Sequence, residues 1–162
     1  MHVYKLESTM LIETSLQDTF AFFEDPYNLK KITPSWMRFE VTSKDRVAMR
    51  KDAEIEYRIR WMGLPMYWKT IITEYEPPFL FVDEQAKGPY SFWRHRHNFS
   101  ASEKGTKIFD HLEYALPLGV LGRLAHRVLV SRQLREIFAY RQQALSKIFD
   151  GKELTLQEPV IR

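Results

Sequence analysis

The 162-residue sequence contains no cysteine, only six glycines and no block of like charge. The lack of cysteine excludes disulfides, thiolate metal ligands and a cysteine nucleophile, and it is typical of a cytoplasmic protein. No window approaches the ~18 consecutive apolar residues of a membrane span, and the N-terminal residues lack the apolar core of a signal peptide. The net charge of +3 is mild, and acidic and basic residues alternate, so the composition does not favour nucleic-acid binding. We expect a cytoplasmic protein without stable membrane insertion.

Large apolar side chains are abundant in spite of these absences. Hydrophobic residues make up 44% of the chain and aromatic residues 14%. This content predicts one globular domain, with aromatic side chains in excess of what a small core needs. We place the domain at residues 1–151, because Asp150-Gly151 is a typical helix stop, and interpret residues 152–162 as a C-terminal tail.

Alternating apolar and polar residues predict an antiparallel sheet. In EIEYRIRW (54–61) the residues Ile55, Tyr57, Ile59 and Trp61 point one way, and the charged residues point the other. Further strands are predicted, in order, for VYKLESTMLIET, FEVTS, MYWKTIITEYE, FLFVDEQA, SFWRHRHNFSA and TKIFDHLEYAL. The short Gly- and Pro-containing turns between the later strands favour a meander.

Helical patterns flank these strands. Ser15 is a plausible N-cap of a first short helix, and PYNLKKI predicts a second one that ends before Pro34. Residues 121–149 predict one long helix, or two with the break at Gly122, whose apolar face carries Leu134, Phe138, Leu145 and Phe149. The predicted class is therefore α+β: a curved antiparallel sheet of six to seven strands around a C-terminal helix. A space between sheet and helix would hold a ligand.

The segments PYNLKKITP, ITEYEPPFLFVDEQAKGPYSFWRHRHNF and GTKIFDHLEYALPLGVLGRLA, together with IFAYRQQAL, resemble those of the SRPBCC superfamily. This superfamily contains START lipid-transfer domains, the birch-pollen allergen and polyketide cyclases, and the motifs are similar to those of one bacterial branch. The resemblance covers about residues 3–150 and implies a helix-grip fold with a deep cavity. It implies no single activity, because the superfamily includes carriers, sensors and enzymes.

Two histidines of SFWRHRHNFS (91–100) are predicted to face the concave side of the sheet. Strand alternation puts Trp93, His95, His97 and Phe99 on one face, and Arg94 and Arg96 on the other. The face with two large aromatic residues should be the inner one. The basic residues are then divided between the two faces, which again argues against nucleic-acid binding.

Other polar residues are predicted to share this space. Alternation directs Asp110 and Tyr114 inward, and Arg141 lies on the apolar face of the helix, where it needs an acidic partner. The resemblance implies that Asp83 and Gln85 also point inward, on the same side of their strand as Phe81. The predicted ligand-binding residues are therefore Tyr57, Trp61, Phe81, Asp83, Gln85, Trp93, His95, His97, Phe99, Asp110, Tyr114, Phe138 and Arg141.

These residues allow three functions. The first is a carrier or sensor for a small hydrophobic ligand such as a lipid, and the second is a cyclase- or dehydratase-type enzyme with His95, His97 and Asp110 as candidate catalytic residues. The third is a protein-interaction module with a filled or vestigial cavity, whose partner the sequence does not identify. For the inward polar residues themselves, the alternative to ligand contact is an internal network that only holds sheet to helix. His-x-His with Asp110 as a third ligand resembles a metal site, but one short motif is a weak signal, so we expect no metal and no cofactor.

The apolar stretch LPLGVLGRLAHRVLV, residues 116–130, also has two interpretations. It would form a hydrophobic gate or a surface that touches a membrane, or it would pack on the sheet as an ordinary helix.

Overall fold

Eight strands form one antiparallel sheet in the computed structural model, which describes residues 1–61, 63–149 and 159–162. The strands are β1 Tyr4–Ile12, β2 Glu40–Val41, β3 Glu54–Trp61, β4 Leu64–Glu76, β5 Leu80–Lys87, β6 Phe92–Ser102, β7 Gly105–Ala115 and β8 Val160–Ile161. Their order across the sheet is β2-β3-β4-β5-β6-β7-β1-β8. Strands β2 to β7 are neighbours in chain order, so the predicted meander is confirmed.

The edge of the sheet next to β1 differs from the prediction. Val160–Ile161 lies in the segment predicted to be a tail, yet it pairs with β1, where Ile161 is opposite Leu6. This adds an eighth strand to the six or seven that were predicted. Residues 152–158 lie outside the described residues, so the domain boundary at 151 stays a prediction.

The two short helices after β1 form where the sequence predicts them. Helix α1, Leu16–Glu24, begins at Ser15, whose hydroxyl oxygen accepts a hydrogen bond of 3.1 Å from the backbone N–H of Asp18. The second helix, Pro26–Ile32, is of the 3₁₀ type, and one more 3₁₀ turn follows at Ser35–Met37. These elements bury Phe20, Phe23 and Ile32 against the sheet.

The C-terminal helix runs from α2, Gly119–Ala125, through a π turn, His126–Val130, into α3, Ser131–Ile148. Gly122, the predicted weak point, does not break it. A Cβ at Gly122 would lie 2.1 Å from the carbonyl oxygen of Pro117, so glycine permits the helix to pack closely on the preceding turn. Asp150-Gly151, the predicted stop, lies outside the described residues.

The π turn has a physical cause in the spacing of the buried residues. Gly122, His126, Val130, Leu134 and Phe138 are all buried and follow one another at intervals of four. Four residues of a regular α-helix turn the chain about 40° past one full turn, so such a row drifts around the helix. The wider π turn takes up part of this drift and keeps the buried row facing the sheet.

The inner face of the sheet and α3 together bury the core. Leu134, Phe138 and Leu145 on α3 are at most 3% exposed, which confirms the predicted apolar face. Leu145 packs in a cluster with Phe20, Phe81 and other side chains at one end of the sheet. Among the described residues, no helix is long and apolar enough to cross a membrane.

We expect Leu145→Ala to lower the free energy of unfolding by about 2–5 kcal/mol, because it leaves a void where helix and sheet meet. Urea unfolding measures the change. Ile148→Ala, three residues further along the same helix at a position that is 38% exposed, is the matched control and should cost less than about 1 kcal/mol. Equal losses in the two variants would contradict the packing of α3 described above.

Candidate ligand-binding site

A hollow of about 150 Å³ lies between the inner face of the sheet and α3. Its walls are mainly aromatic and aliphatic. Trp68 on β4 stacks on Tyr57 of β3, with 5.9 Å between ring centroids, and meets Trp93 of β6 edge to face at 5.1 Å. Side chains of α3, including Leu134 and Phe138, cover the opposite side.

The structure brings nine of the thirteen predicted ligand-binding residues to the wall of this hollow. They are Tyr57, Trp61, Phe81, Asp83, Trp93, His95, His97, Phe138 and Arg141. The predicted inward orientation of both histidines is observed, since each is only 4% exposed. That any of these residues contacts a ligand stays a prediction.

The other four predicted residues do not line the hollow, and each has a partner elsewhere. The amide of Gln85 donates to the carbonyl of Tyr90 at 2.7 Å, and the Tyr114 hydroxyl lies 2.8 Å from Nε2 of His126. Phe99 packs edge to face on Phe20 and Phe23 in the core. Asp110 lies behind the two histidines and is 3% exposed.

Several wall residues were missed by the sequence analysis. The side chains of Trp68 and Thr70 face inward on β4, and the Trp68 indole donates to the Thr70 hydroxyl at 3.1 Å. The alternation along MYWKTIITEYE could have identified both side chains as inward-facing. Gln133 on α3 also lines the hollow, and no feature of its local sequence separates it from an ordinary surface glutamine.

Strand register assembles a polar cluster at one end of the hollow. In the β5–β6 ladder Asp83 is directly opposite His95, and in the β6–β7 ladder Asp110 is directly opposite His97. Residues opposite each other in an antiparallel pair project from the same face. The two imidazole rings, 3.8 Å apart between centroids, therefore lie between a carboxylate from each neighbouring strand.

His97 is the centre of this cluster. Its Nε2 donates to Oδ2 of Asp83 at 2.8 Å, and its Nδ1 lies 2.9 Å from Oδ1 of Asp110. His95 is less tightly held, with Nε2 at 3.2 Å from Oδ1 of Asp110 and Nδ1 at 3.8 Å from Oδ2 of Asp83. The contacts to Asp110 are close in distance, but the N–H bonds are not directed at the oxygen.

Burial and the two carboxylates shift the pKa values of the two histidines in opposite directions. Burial and the neighbouring His97 together lower the pKa of His95 to about 4, against the opposing effect of Asp110 and Asp83, so His95 is neutral at pH 7. Burial also opposes the charge on His97, but Asp110 and Asp83 outweigh it and raise the pKa of His97. The pKa of both carboxyl groups is lowered, since the favourable contacts with the histidines outweigh their burial.

Arg141 of α3 balances the remaining charge. Its Nη1 lies 3.9 Å from Oδ2 of Asp110, which is an ion pair beyond hydrogen-bonding distance. This is the acidic partner that the sequence analysis required. With Asp83 and Asp110 ionised and His97 protonated, the guanidinium makes the cluster neutral overall. The nitrogens Nε and Nη1 of Arg141 are buried and have no hydrogen-bond partner among the described residues.

Among the described residues, Asp83, His95 and His97 form a group with ligand atoms suited to a metal ion. One ligand atom from each lies within 4.8 Å of the others, with Asp83 in the place that the sequence analysis gave to Asp110. Two imidazoles and one carboxylate are a donor set used by zinc and iron. Here Nε2 of His97 already donates to Asp83, so a metal would first have to displace that proton.

The outer face of β6 carries the arginines of the SFWRHRHNFS segment. Arg94 contacts Glu74 at 2.6 Å and Glu84 at 3.2 Å, and Arg96 contacts Glu74 at 3.3 Å. These glutamates offset the positive charge of both arginines on the outer face of β6.

Solved structures with the same fold are numerous, and their sequences are distant. The protein TTHA0849 from Thermus thermophilus is 17% identical with a TM-score of 0.68, covering 90% of this chain and 95% of its own. CV1439 from Chromobacterium violaceum is 10% identical with a TM-score of 0.71, covering 92% and 99%. Ara h 8.0201 is 14% identical with a TM-score of 0.56, covering 90% and 98%. At these identities the likeness establishes the helix-grip fold alone.

A family model gives the assignment that these structures do not. No curated protein matches the chain. The model described as "Polyketide cyclase / dehydrase and lipid transport" matches residues 12–138, which is most of the chain and includes β3 to β7 with the polar cluster. This agrees with the resemblance to the SRPBCC superfamily. The chain therefore belongs to the polyketide cyclase/dehydrase and lipid-transport family.

Proposed function

We propose that this protein binds a small, largely apolar molecule with one hydrogen-bond acceptor in the hollow between sheet and α3, as a carrier or sensor. The family and fold support a hydrophobic ligand in general. The single observation that carries the finer proposal is Arg141. This residue lines the hollow beside the polar cluster, and its Nε and Nη1 are buried without a hydrogen-bond partner among the described residues.

A buried donor without a partner is unfavourable by about 1–3 kcal/mol, and by more when it is charged. A ligand carbonyl or carboxylate oxygen next to Nε and Nη1 of Arg141 would remove this cost. Oε1 of Gln133, eight residues earlier on α3, is also buried without a hydrogen-bond partner among the described residues and would accept from a ligand hydroxyl. Arg141 therefore defines the polar end of the proposed ligand.

The volume of the hollow limits the ligand. Its 150 Å³ is below the ~300–1,000 Å³ that is usual for ligand pockets, and it matches an engineered apolar cavity that admits benzene. A single ring with a short substituent fits without movement of the walls. A larger ligand requires α3 or the 3₁₀ turn at Ser35–Met37 to move outward.

Acetophenone and ethylbenzene test the role of Arg141, because they share size and shape and differ in one carbonyl oxygen. We expect acetophenone to bind about tenfold more tightly, as one charge-assisted hydrogen bond is worth about 1.5 kcal/mol or more. Isothermal titration calorimetry measures both affinities. In Arg141→Met the preference should fall to about twofold or less.

Arg135→Met is the matched control, since Arg135 lies on the same helix, is exposed and is not a wall residue. It should retain the preference for acetophenone. Equal binding of the two compounds by the unaltered protein would refute the role of Arg141. Failure of both to bind would refute the cavity itself as the binding site.

The second candidate function is an acid–base reaction of the cyclase or dehydratase type in the same hollow. The observation that favours it is a pair of histidines on the cavity wall whose pKa values are shifted in opposite directions, downward for His95 and upward for His97. A neutral imidazole accepts a proton and an imidazolium donates one, so the pair contains both partners of general acid–base catalysis. This candidate requires that His97 is protonated in the folded protein near neutral pH.

The pH dependence of stability tests that requirement. Because the pKa of His97 is raised above its ordinary value of 6.5, the folded chain holds this proton more tightly than the unfolded chain. The stabilisation is complete below about pH 6.5 and is lost as the pH rises through the folded-state pKa. Urea unfolding should therefore show stability falling above pH 7. The effect of His95 on stability has the opposite sign, because its pKa is lowered. It makes stability rise with pH, and only between about pH 4 and 6.5.

His97→Asn should remove this decline and lower the free energy of unfolding at pH 6.5 by about 3–5 kcal/mol, because two buried carboxylates lose their bridge. His111→Asn is the control on the outer face, where the ring contacts Glu7 at 3.4 Å. The His111→Asn variant should change the free energy of unfolding by less than about 1 kcal/mol and should still lose stability above pH 7. A wild-type protein that is equally stable from pH 7 to 9 would count against a protonated His97.

A further inference from the structure

Five large aliphatic side chains are exposed on and beside α2. Each is between 61% and 77% exposed, and they are Leu118, Val120, Leu121, Leu124 and Val128. From the sequence alone, this stretch would either pack on the sheet or form a gate or membrane-touching surface. Its buried residues pack on the sheet, but these five point away from the sheet. We refer to the five as the α2 patch.

Helix geometry explains this division. The buried row of Gly122, His126 and Val130 faces the body of the protein. Leu121, Leu124 and Val128, at intervals of three and four, form a second row on the outer side of the same turns. Contiguous apolar surface of this kind marks an interaction site in soluble proteins more often than isolated exposed residues do.

The chain segment that carries the α2 patch is basic, although Arg132 at its far end is paired with Glu136 at 3.0 Å. Between Glu113 and Glu136 the chain contains no acidic residue and four arginines, at positions 123, 127, 132 and 135, all of them exposed. These four charges exceed the net charge of +3 of the whole chain, so the rest of the protein is slightly acidic overall. The basic character of the protein is therefore concentrated around the patch.

We propose that the α2 patch docks on an anionic lipid bilayer, with the aliphatic side chains in the interface and the arginines at the lipid phosphates. An amphipathic helix with apolar residues on one face and basic residues beside them is the form that lies in a membrane interface. Each arginine near an anionic surface adds about 1 kcal/mol of attraction. The helix lies on the bilayer and does not cross it.

Two other occupants fit the patch less well. A second copy of the chain would bring the arginines of both copies together around a shared axis, and like charges oppose such a contact. A protein partner is usually held by aromatic side chains as well as arginine, whereas leucine and valine are under-represented among the residues that dominate protein interfaces. The α2 patch contains only leucine and valine.

Co-sedimentation with vesicles tests the proposal. We expect the full chain to bind vesicles of phosphatidylglycerol and phosphatidylcholine and to bind phosphatidylcholine alone at least about tenfold more weakly. Arg123→Gln with Arg127→Gln should weaken binding to the anionic vesicles by about 30-fold, from two charges of the stated size. Raising the salt concentration should also weaken it.

Leu121→Ser with Leu124→Ser removes two exposed apolar side chains and should reduce binding at least about tenfold without a change in urea unfolding. Leu64→Ser with Phe79→Ser is the matched control, because both residues are exposed outside the patch. It should bind as the unaltered chain does. Equal affinity for both vesicle types, or no effect of the Leu121/Leu124 change, would overturn the proposal.

Light scattering on the lipid-free protein tests the alternative that a second copy of the chain covers the α2 patch. A monomer is expected. A dimer that the Leu121/Leu124 change dissociates would assign the patch to a second copy and would also overturn the proposal. None of these measurements depends on a ligand in the hollow, so they are independent of the proposed function.

Discussion

The contact on which the inner structure depends is the bridge that His97 makes between two carboxylates. Strand β6 lies between β5 and β7, and each neighbour contributes one aspartate to the same face. A shift of either neighbour by one residue would turn its aspartate to the outer face and leave charged groups in the core without partners. The bridge therefore fixes the register of three central strands at once. Since buried ion pairs add little net stability, this specificity is the better explanation of its presence.

Strand alternation was sufficient to predict most of this arrangement. A period of two residues indicated the strands, their inner faces and the inward direction of His95, His97 and Asp110. Alternation within one strand gives no information on the register between strands or on the position of the helix across them. For this reason it did not show that Asp110 would lie behind the histidines, or that His126 would take the hydroxyl of Tyr114.

Long-range packing explains the other differences between prediction and structure. The helix irregularity at 126–130 results from the four-residue spacing of the side chains that it buries, and glycine at 122 serves a close approach instead of a break. The eighth strand, Val160–Ile161, is too short to be recognised by a pattern and exists because β1 offers it an edge. Part of the aromatic excess packs against itself, since Tyr57, Trp68, Tyr90 and Trp93 contact one another on the inner face of the sheet.

The two ends of the C-terminal helix differ in the burial of their apolar side chains. In α3 the side chains of Leu134, Phe138 and Leu145 are buried, and this helix both closes the core and lines the hollow. In α2 the situation is reversed, because Gly122 is its one buried residue, and the larger side chains face outward. Those aliphatic groups contribute little to holding the fold together, while their exposure to water is unfavourable. An external apolar surface would account for them, and the arginines beside them indicate that this external surface is negatively charged.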